Sequence, residues 1–218
     1  MSRRRLYLLR HADVAYFDEH GRPVPPDDAA LTAQGREQAL ATGETLHDIR
    51  FDRVLTSGLR RAVETARLVA PGAELEAWPD LRELAPGRLT AIPADELEEA
   101  FLGVFRGAVP ESRSFLGGET VRSLLDRVLP ALERLLADRA WDVVLAVLHG
   151  GVNRAILSYA LTGRRSFLGG FEQAPACVNV IDVGDDWIVR AVNVTPYDLV
   201  HRHDRSTTME RLYAEYRP

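Results

Sequence analysis

The sequence predicts an α/β fold with a mainly parallel sheet covered by helices on both faces. Three observations predict it. The runs Leu6–Leu9 and Val143–Leu148 are apolar without polar alternation, as in strands buried on both sides. Segments with a 3.6-residue apolar period alternate with such runs along the chain. The chain has 218 residues, 46% of them hydrophobic, enough for one sizeable core. The expected organisation is therefore one domain over residues 1–218, with a small cap inserted at residues 88–118.

The elements follow in order. The first strand ends abruptly on Arg10 and His11, and a polar loop rich in Asp and Pro runs from Asp13 to Ala30. Such a long loop is often functional. Thr32 is placed to cap the first helix, with Ala39, Leu40, Gly43 and Leu46 on its inner face. Phe51–Leu55 reads as the second strand. Ser57 is placed to cap the next helix, which carries Arg61, Ala62, Thr65, Ala66 and Val69 and ends at Pro71-Gly72. Leu75–Trp78 is an edge strand.

Residues 88–118 break the rhythm. Ala94–Phe105 reads as a helix with an apolar stripe, either a cap over the site or an ordinary surface helix. Gly118-Glu119-Thr120 opens a long amphipathic helix through Leu124, Leu125, Val128, Leu129, Leu132, Leu135 and Leu136, with a kink expected at Pro130. Asp142–Leu148 is a buried strand ending on His149-Gly150-Gly151, and Val152–Leu157 is helical. Cys177–Val183 and Trp187–Val192 flank Gly184-Asp185-Asp186 as a hairpin. The tail from Thr195 is polar, Arg-rich and expected on the surface.

Composition excludes several classes. With 27 basic and 32 acidic residues the net charge is −5, which argues against a general nucleic-acid or membrane-surface binder. An anionic substrate must then be held by a local basic site. The one cysteine, Cys177, rules out an internal disulfide and a Cys-based zinc cage, and reads as a buried packing residue. No apolar run approaches ~20 residues, and Met1–Arg5 precedes no export signal, so the cytoplasm is the expected location. His201-x-His203 lacks a clear third metal ligand, and no metal or cofactor is expected.

Two strands each deliver a histidine at a carboxyl end, where open α/β sheets bind ligands. The bland reading of Arg10-His11 alone is a strand end with two solvated residues. Further blocks change that reading. Thr56-Ser57-Gly58-Leu59-Arg60-Arg61-Ala62-Val63-Glu64-Thr65-Ala66 is followed by Leu81-Arg82-Glu83 and then by His149-Gly150. In this order, with Arg10-His11-Ala12, they resemble the histidine phosphatase superfamily, also called phosphoglycerate-mutase-like, in its phosphatase branch. The second block matches the pattern Thr-Ser-x-Leu-x-Arg-Ala-x-x-Thr-Ala at every specified position. Ala12 departs from the family's Gly. No Asn stands in Asp13–Phe17 where the mutases and many phosphatases place one; Tyr16 is a candidate replacement.

The resemblance implies a doubly wound α/β fold with the site at the carboxyl end of the sheet. It implies a metal-independent phosphomonoesterase, a hydrolase of the histidine acid phosphatase type, working through a phosphohistidine on a small phosphorylated metabolite. His11 is the implied nucleophile, its attacking nitrogen unprotonated while the other donates to a backbone carbonyl. Arg10, Arg61 and His149 are charge-assisted donors to phosphate, and Gly150 lets backbone approach it. Glu83 is the candidate general acid, with Asp80 as its nearest rival. Arg60 and Arg61 cannot both face the site; the pattern selects Arg61. Arg154 reads as structural.

Three other functions stay open: a 2,3-bisphosphoglycerate-dependent phosphoglycerate mutase, a phosphohistidine or phosphoprotein phosphatase, and a non-enzymatic phospholigand sensor. Against the mutase, no Trp precedes Trp78, and the acidic cluster Asp18, Glu19, Asp27 and Asp28 would repel a second phosphate if it faced the site. No nucleic-acid or membrane partner is expected, and a homodimer is left open.

Overall fold

The computed structural model describes residues 3–18, 20, 22, 24–25, 27–201 and 205–216. Glu19 of the acidic cluster and His203 of the His201-x-His203 pair lie outside the described residues. The elements run β1 (Arg4–Arg10), α1 (Ala33–Thr45), β2 (Arg53–Thr56), α2 (Arg60–Val69), β3 (Leu75–Ala77), α3 (Leu97–Leu102), α4 (Val121–Ala137), β4 (Val143–Leu148), α5 (Gly150–Thr162), β5 (Val178–Val183), β6 (Trp187–Val194) and α6 (Thr208–Tyr216).

The six strands form one sheet in the order β3-β2-β4-β1-β5-β6. The first four are mutually parallel, and β5 and β6 extend the sheet as an antiparallel hairpin beside β1. Side chains of a strand alternate between faces, so each central strand feeds two cores. Leu6, Leu8, Val144, Ala146 and Leu148 pack with α4 and α5 residues such as Leu125, Val128, Val152 and Ile156. Tyr7, Leu9, Leu145 and Val147 pack on the other side with Ala39 and Leu46 near α1 and Ala66 and Val69 of α2. The fold is therefore α/β and doubly wound, as expected.

Local chemistry explains most boundaries. Thr32 caps α1 by accepting from the Gly35 N–H at 2.9 Å. Thr120 caps α4 through Ser123 N at 3.2 Å. Helix α4 continues through Pro130 to Ala137. The Ala94–Phe105 stripe becomes the short α3 and a 3₁₀ turn, Gly103–Phe105, with Leu97, Phe101, Leu102 and Val104 buried.

Two expectations are corrected. Leu40 is 54% exposed, because the inner face of α1 is chosen by polar anchors. Gln38 accepts from Asp13 N, and Thr42 donates to the Ala176 carbonyl. Ser57 does not cap α2, whose N-cap is Leu59 without a side-chain bond; the Ser57 hydroxyl accepts the Leu59 N–H at 3.3 Å and meets His149. The tail from Thr195 stays largely on the surface, as expected, with no buried residue in its helix. It folds back as α6, with Met209, Leu212 and Tyr213 against α3, and its Thr208 donates to the Glu172 carboxylate.

Among the described residues no helix is long and apolar enough to cross a membrane. Among them, too, no cluster of three or more His, Cys, Asp or Glu is arranged to hold a metal ion.

Candidate active site

Strand register builds the site. β1 and β4 are adjacent and parallel, with Arg10 opposite Leu148. The next residue of each strand is a histidine, so His11 and His149 emerge side by side. The His11 N–H donates to the Leu148 carbonyl at 2.9 Å, and the two rings lie 5.2 Å apart. On the other side of β4, β2 ends at Thr56, and Ser57 Oγ lies 2.7 Å from His149 Nε2. Arg61 follows in the first turn of α2. Thr65, one turn later, accepts the Ala12 N–H at 3.0 Å and donates to the Arg61 carbonyl at 2.8 Å, tying α2 to the chain after His11.

The tautomer of His11 follows from its partner. Nδ1 lies 2.8 Å from the Ala12 carbonyl, which can only accept, so Nδ1 carries the proton and Nε2 presents its lone pair. Burial, then the guanidiniums of Arg61 and Arg10, hold the imidazole well below its ordinary range and hence neutral. This is the state a nitrogen nucleophile needs. Ala12 does not occupy a left-handed conformation, so its methyl group replaces the family glycine without backbone strain.

His149 is depressed in the same direction as His11, by burial and then by Arg61, His11 and Arg10. Its Nδ1 is buried without a hydrogen-bond partner. When the Ser57 hydroxyl donates to Nε2, Nδ1 carries the proton and an anion can accept it. Arg10 is 7% exposed, held by the Gln173 carbonyl, and its Nε–H finds no partner in the protein. Arg61 is 2% exposed, whereas Arg60 is turned outward and paired with Glu64. A buried guanidinium with an unused donor, as Arg10 has at Nε, is poised for an anion.

Glu83 docks at the N-terminus of α5. Its carboxylate accepts from Gly151 N at 3.0 and 3.1 Å and from Leu84 N at 2.9 Å. A Cβ on Gly151 would stand 2.4 Å from Glu83 Oε1. A Cβ on Gly150 would stand 3.1 Å from Arg154 Nη1, a tight contact with a side-chain end, and 3.7 Å from both Arg10 Nε and Glu83 Oε2. The steric need for glycine is thus greater at Gly151 than at Gly150, which sits between the cation and the carboxylate. Asp80 is engaged elsewhere: its carboxylate is half-exposed and paired with Arg134 at 2.7 Å.

Several residues carry no isolated sequence signal. Arg127 of α4 donates to the carbonyls of Asp80, Arg82 and Glu83 and pairs with Glu119, clamping the segment that presents Glu83. The Gly118-Glu119-Thr120 block marked one half of this clamp. Arg154 is 4% exposed and donates to the Gly150 and Gly169 carbonyls, a structural role as expected; burial lowers it to about 10. Cys177 is fully buried, and burial pushes its thiol up to about 12.

Two cavities open at the site, and Arg10 lines both. One, of about 290 Å³, includes Arg10, His11, Tyr16, Thr208 and Arg211. The other, of about 430 Å³, includes Arg10, Arg61, Glu83 and Tyr16. Tyr16 borders both beside Arg10, where the expected Asn replacement belongs. Asp18 and Asp28 border neither cavity, Asp18 being paired with Arg22, and Asp27 lies beside Arg60 and Arg67. These described acids therefore do not line the cavities at the site.

Comparison with known proteins agrees with this geometry. A sequence profile of the histidine phosphatase superfamily, branch 1, matches residues 6–195. A probable phosphoglycerate mutase GpmB from Salmonella paratyphi A is 33% identical over 149 residues, 66% of this chain and 69% of that one. A probable 2-carboxy-D-arabinitol-1-phosphatase from Arabidopsis thaliana is 28% identical over 203 residues, 91% of this chain and 41% of that one. Among solved structures, a putative alpha-ribazole-5'-P phosphatase from Escherichia coli superposes with a TM-score of 0.67 at 25% identity, covering 87% of this chain and 96% of that one.

Proposed function

The chain belongs to branch 1 of the histidine phosphatase superfamily, and from that premise we propose that it is a metal-independent phosphomonoesterase acting in the cytoplasm through a phosphohistidine at His11. One observation carries the reading: a neutral His11 with Nε2 free to attack, set among the buried Arg10 and Arg61. Arg10, Arg61 and His149 hold the equatorial phosphate oxygens, whose charge must be stabilised in the transition state. His11 Nε2 attacks phosphorus as the bond to the leaving oxygen breaks, and Glu83 in its protonated form supplies the proton to that oxygen. Water then attacks phosphorus, Glu83 takes the proton, and the P–N bond breaks to release phosphate and restore His11. The whole chain acts as one domain, with residues 88–118 as its cap.

The name of the Salmonella relative makes a mutase the natural competitor. A mutase must retain the phosphoenzyme while a bisphosphorylated intermediate turns over, and must keep water out. The space beyond the phosphate site here is walled mostly by apolar side chains, with Arg88 as its one further cation, a single charge for a second phosphate to meet. Incubation with 3-phosphoglycerate and catalytic 2,3-bisphosphoglycerate in EDTA decides between them. Phosphate release from screened monoesters should far outpace 2-phosphoglycerate formation. The reverse ranking assigns a mutase, and activity that EDTA abolishes and a divalent ion restores removes the metal-independent scheme.

A further inference from the structure

The 430 Å³ cavity is larger than a phosphate group requires, and its two ends differ in chemistry. Arg10, Arg61 and Glu83 form the catalytic end. The remainder is walled chiefly by Phe17 after the first strand, Phe101 and Phe105 of the cap, Phe115, and Leu212 and Tyr216 of α6, with Arg88 its one charged residue. These rings interlock. Phe115 meets Phe101 and Phe105 edge-on at 6.1 and 5.6 Å, and Tyr216 stacks on Phe17 at 6.0 Å and on Phe101 at 6.4 Å. Phe101 is 3% exposed, so the wall is anchored in a core and does not depend on loose surface side chains. A polyhydroxylated leaving group placed against these rings loses hydration and finds few partners, Arg88 being the one cation within reach. An apolar one gains about fourfold in affinity for each CH₂ it buries.

We propose that the substrate is a phosphomonoester whose leaving group is a large apolar, ring-bearing or branched hydrocarbon moiety, and that the cavity between the first loop, α3 and α6 is its binding pocket. This rests on the phosphatase reading above. The pocket occupies the leaving-group side of the site, since Glu83, the proton donor to the leaving oxygen, stands at its catalytic end. Helix α6 closes it, which gives the C-terminal segment a role in specificity.

The test compares 4-phenylbutyl phosphate, ethyl phosphate and glycerol 3-phosphate, all with primary alkoxide leaving groups, and uses p-nitrophenyl phosphate as an activated control. kcat/KM for the phenylbutyl ester should exceed that for the ethyl ester by roughly 100-fold, the return from burying three or four carbons at the rate just given. Glycerol 3-phosphate should do no better than the ethyl ester. Leu212→Asp should cut the phenylbutyl-to-ethyl ratio at least tenfold, and Tyr216→Ala serves if that variant does not fold. Calorimetry with 4-phenylbutylphosphonate and ethylphosphonate reads the pocket without chemistry, and the aryl-alkyl compound should bind far more tightly. Equal binding of the two phosphonates, a preference for glycerol 3-phosphate, or a ratio unmoved by both substitutions would overturn the pocket. Failure of all four esters with the phosphonate preference intact would instead remove the phosphatase reading and leave the pocket standing.

Discussion

Gly151 decides where the carboxylate of Glu83 can lie. Its bare Cα lets the carboxylate reach the first turn of α5 and accept the Gly151 N–H. An alanine there places a methyl carbon 2.4 Å from Glu83 Oε1, and the flexible carboxylate, not the backbone, gives way. Gly151→Ala should therefore fold normally yet behave as a partial Glu83→Gln. Turnover of an alkyl phosphate is expected to fall at least tenfold, that of p-nitrophenyl phosphate much less, because a basic alkoxide needs the proton more than a stable phenolate does. Equal losses on both esters would mean that Glu83 binds substrate and does not protonate it.

At the scale of elements, the sequence was most legible where one short block serves one element. The Thr56–Ala66 block encodes the end of β2, Ser57 beside His149, and the α2 turn that separates buried Arg61 from exposed Arg60. The paired ends of β1 and β4 were equally readable, because an apolar run that stops on a histidine fixes both burial and direction. What escaped depended on partners far along the chain. Helix α6 buries none of its residues fully, so its apolar side carries meaning only once α3 is opposite it. Arg127 is one arginine among many until α4 lies against the Asp80–Glu83 carbonyls. Leu40 was misplaced because hydropathy does not register that Gln38 and Thr42 find backbone partners inward.

For the whole molecule, the site has a cost in stability at low pH. His11 and His149 are both depressed by burial and by the neighbouring guanidiniums, whereas an unfolded histidine titrates near 6.5. Below about pH 6.5 the unfolded chain therefore binds protons that the native state refuses. Stability is present above that pH and lost as pH falls, at about 1.4 kcal/mol per pH unit for each histidine. The Tm should drop between pH 7 and pH 5, and the drop should be much shallower in a His11→Gln, His149→Gln double variant; parallel curves would mean that the histidines charge freely in the native fold. The same neutrality of His11 underlies the catalytic proposal, and trapping the intermediate tests it most directly. Rapid acid-free quenching of a reaction with ³²P-labelled monoester should yield protein carrying acid-labile, base-stable label, with the modified peptide containing His11 and no label in His11→Ala. Equal labelling of the His11→Ala protein, or turnover with no labelled protein at any time, would contradict the account.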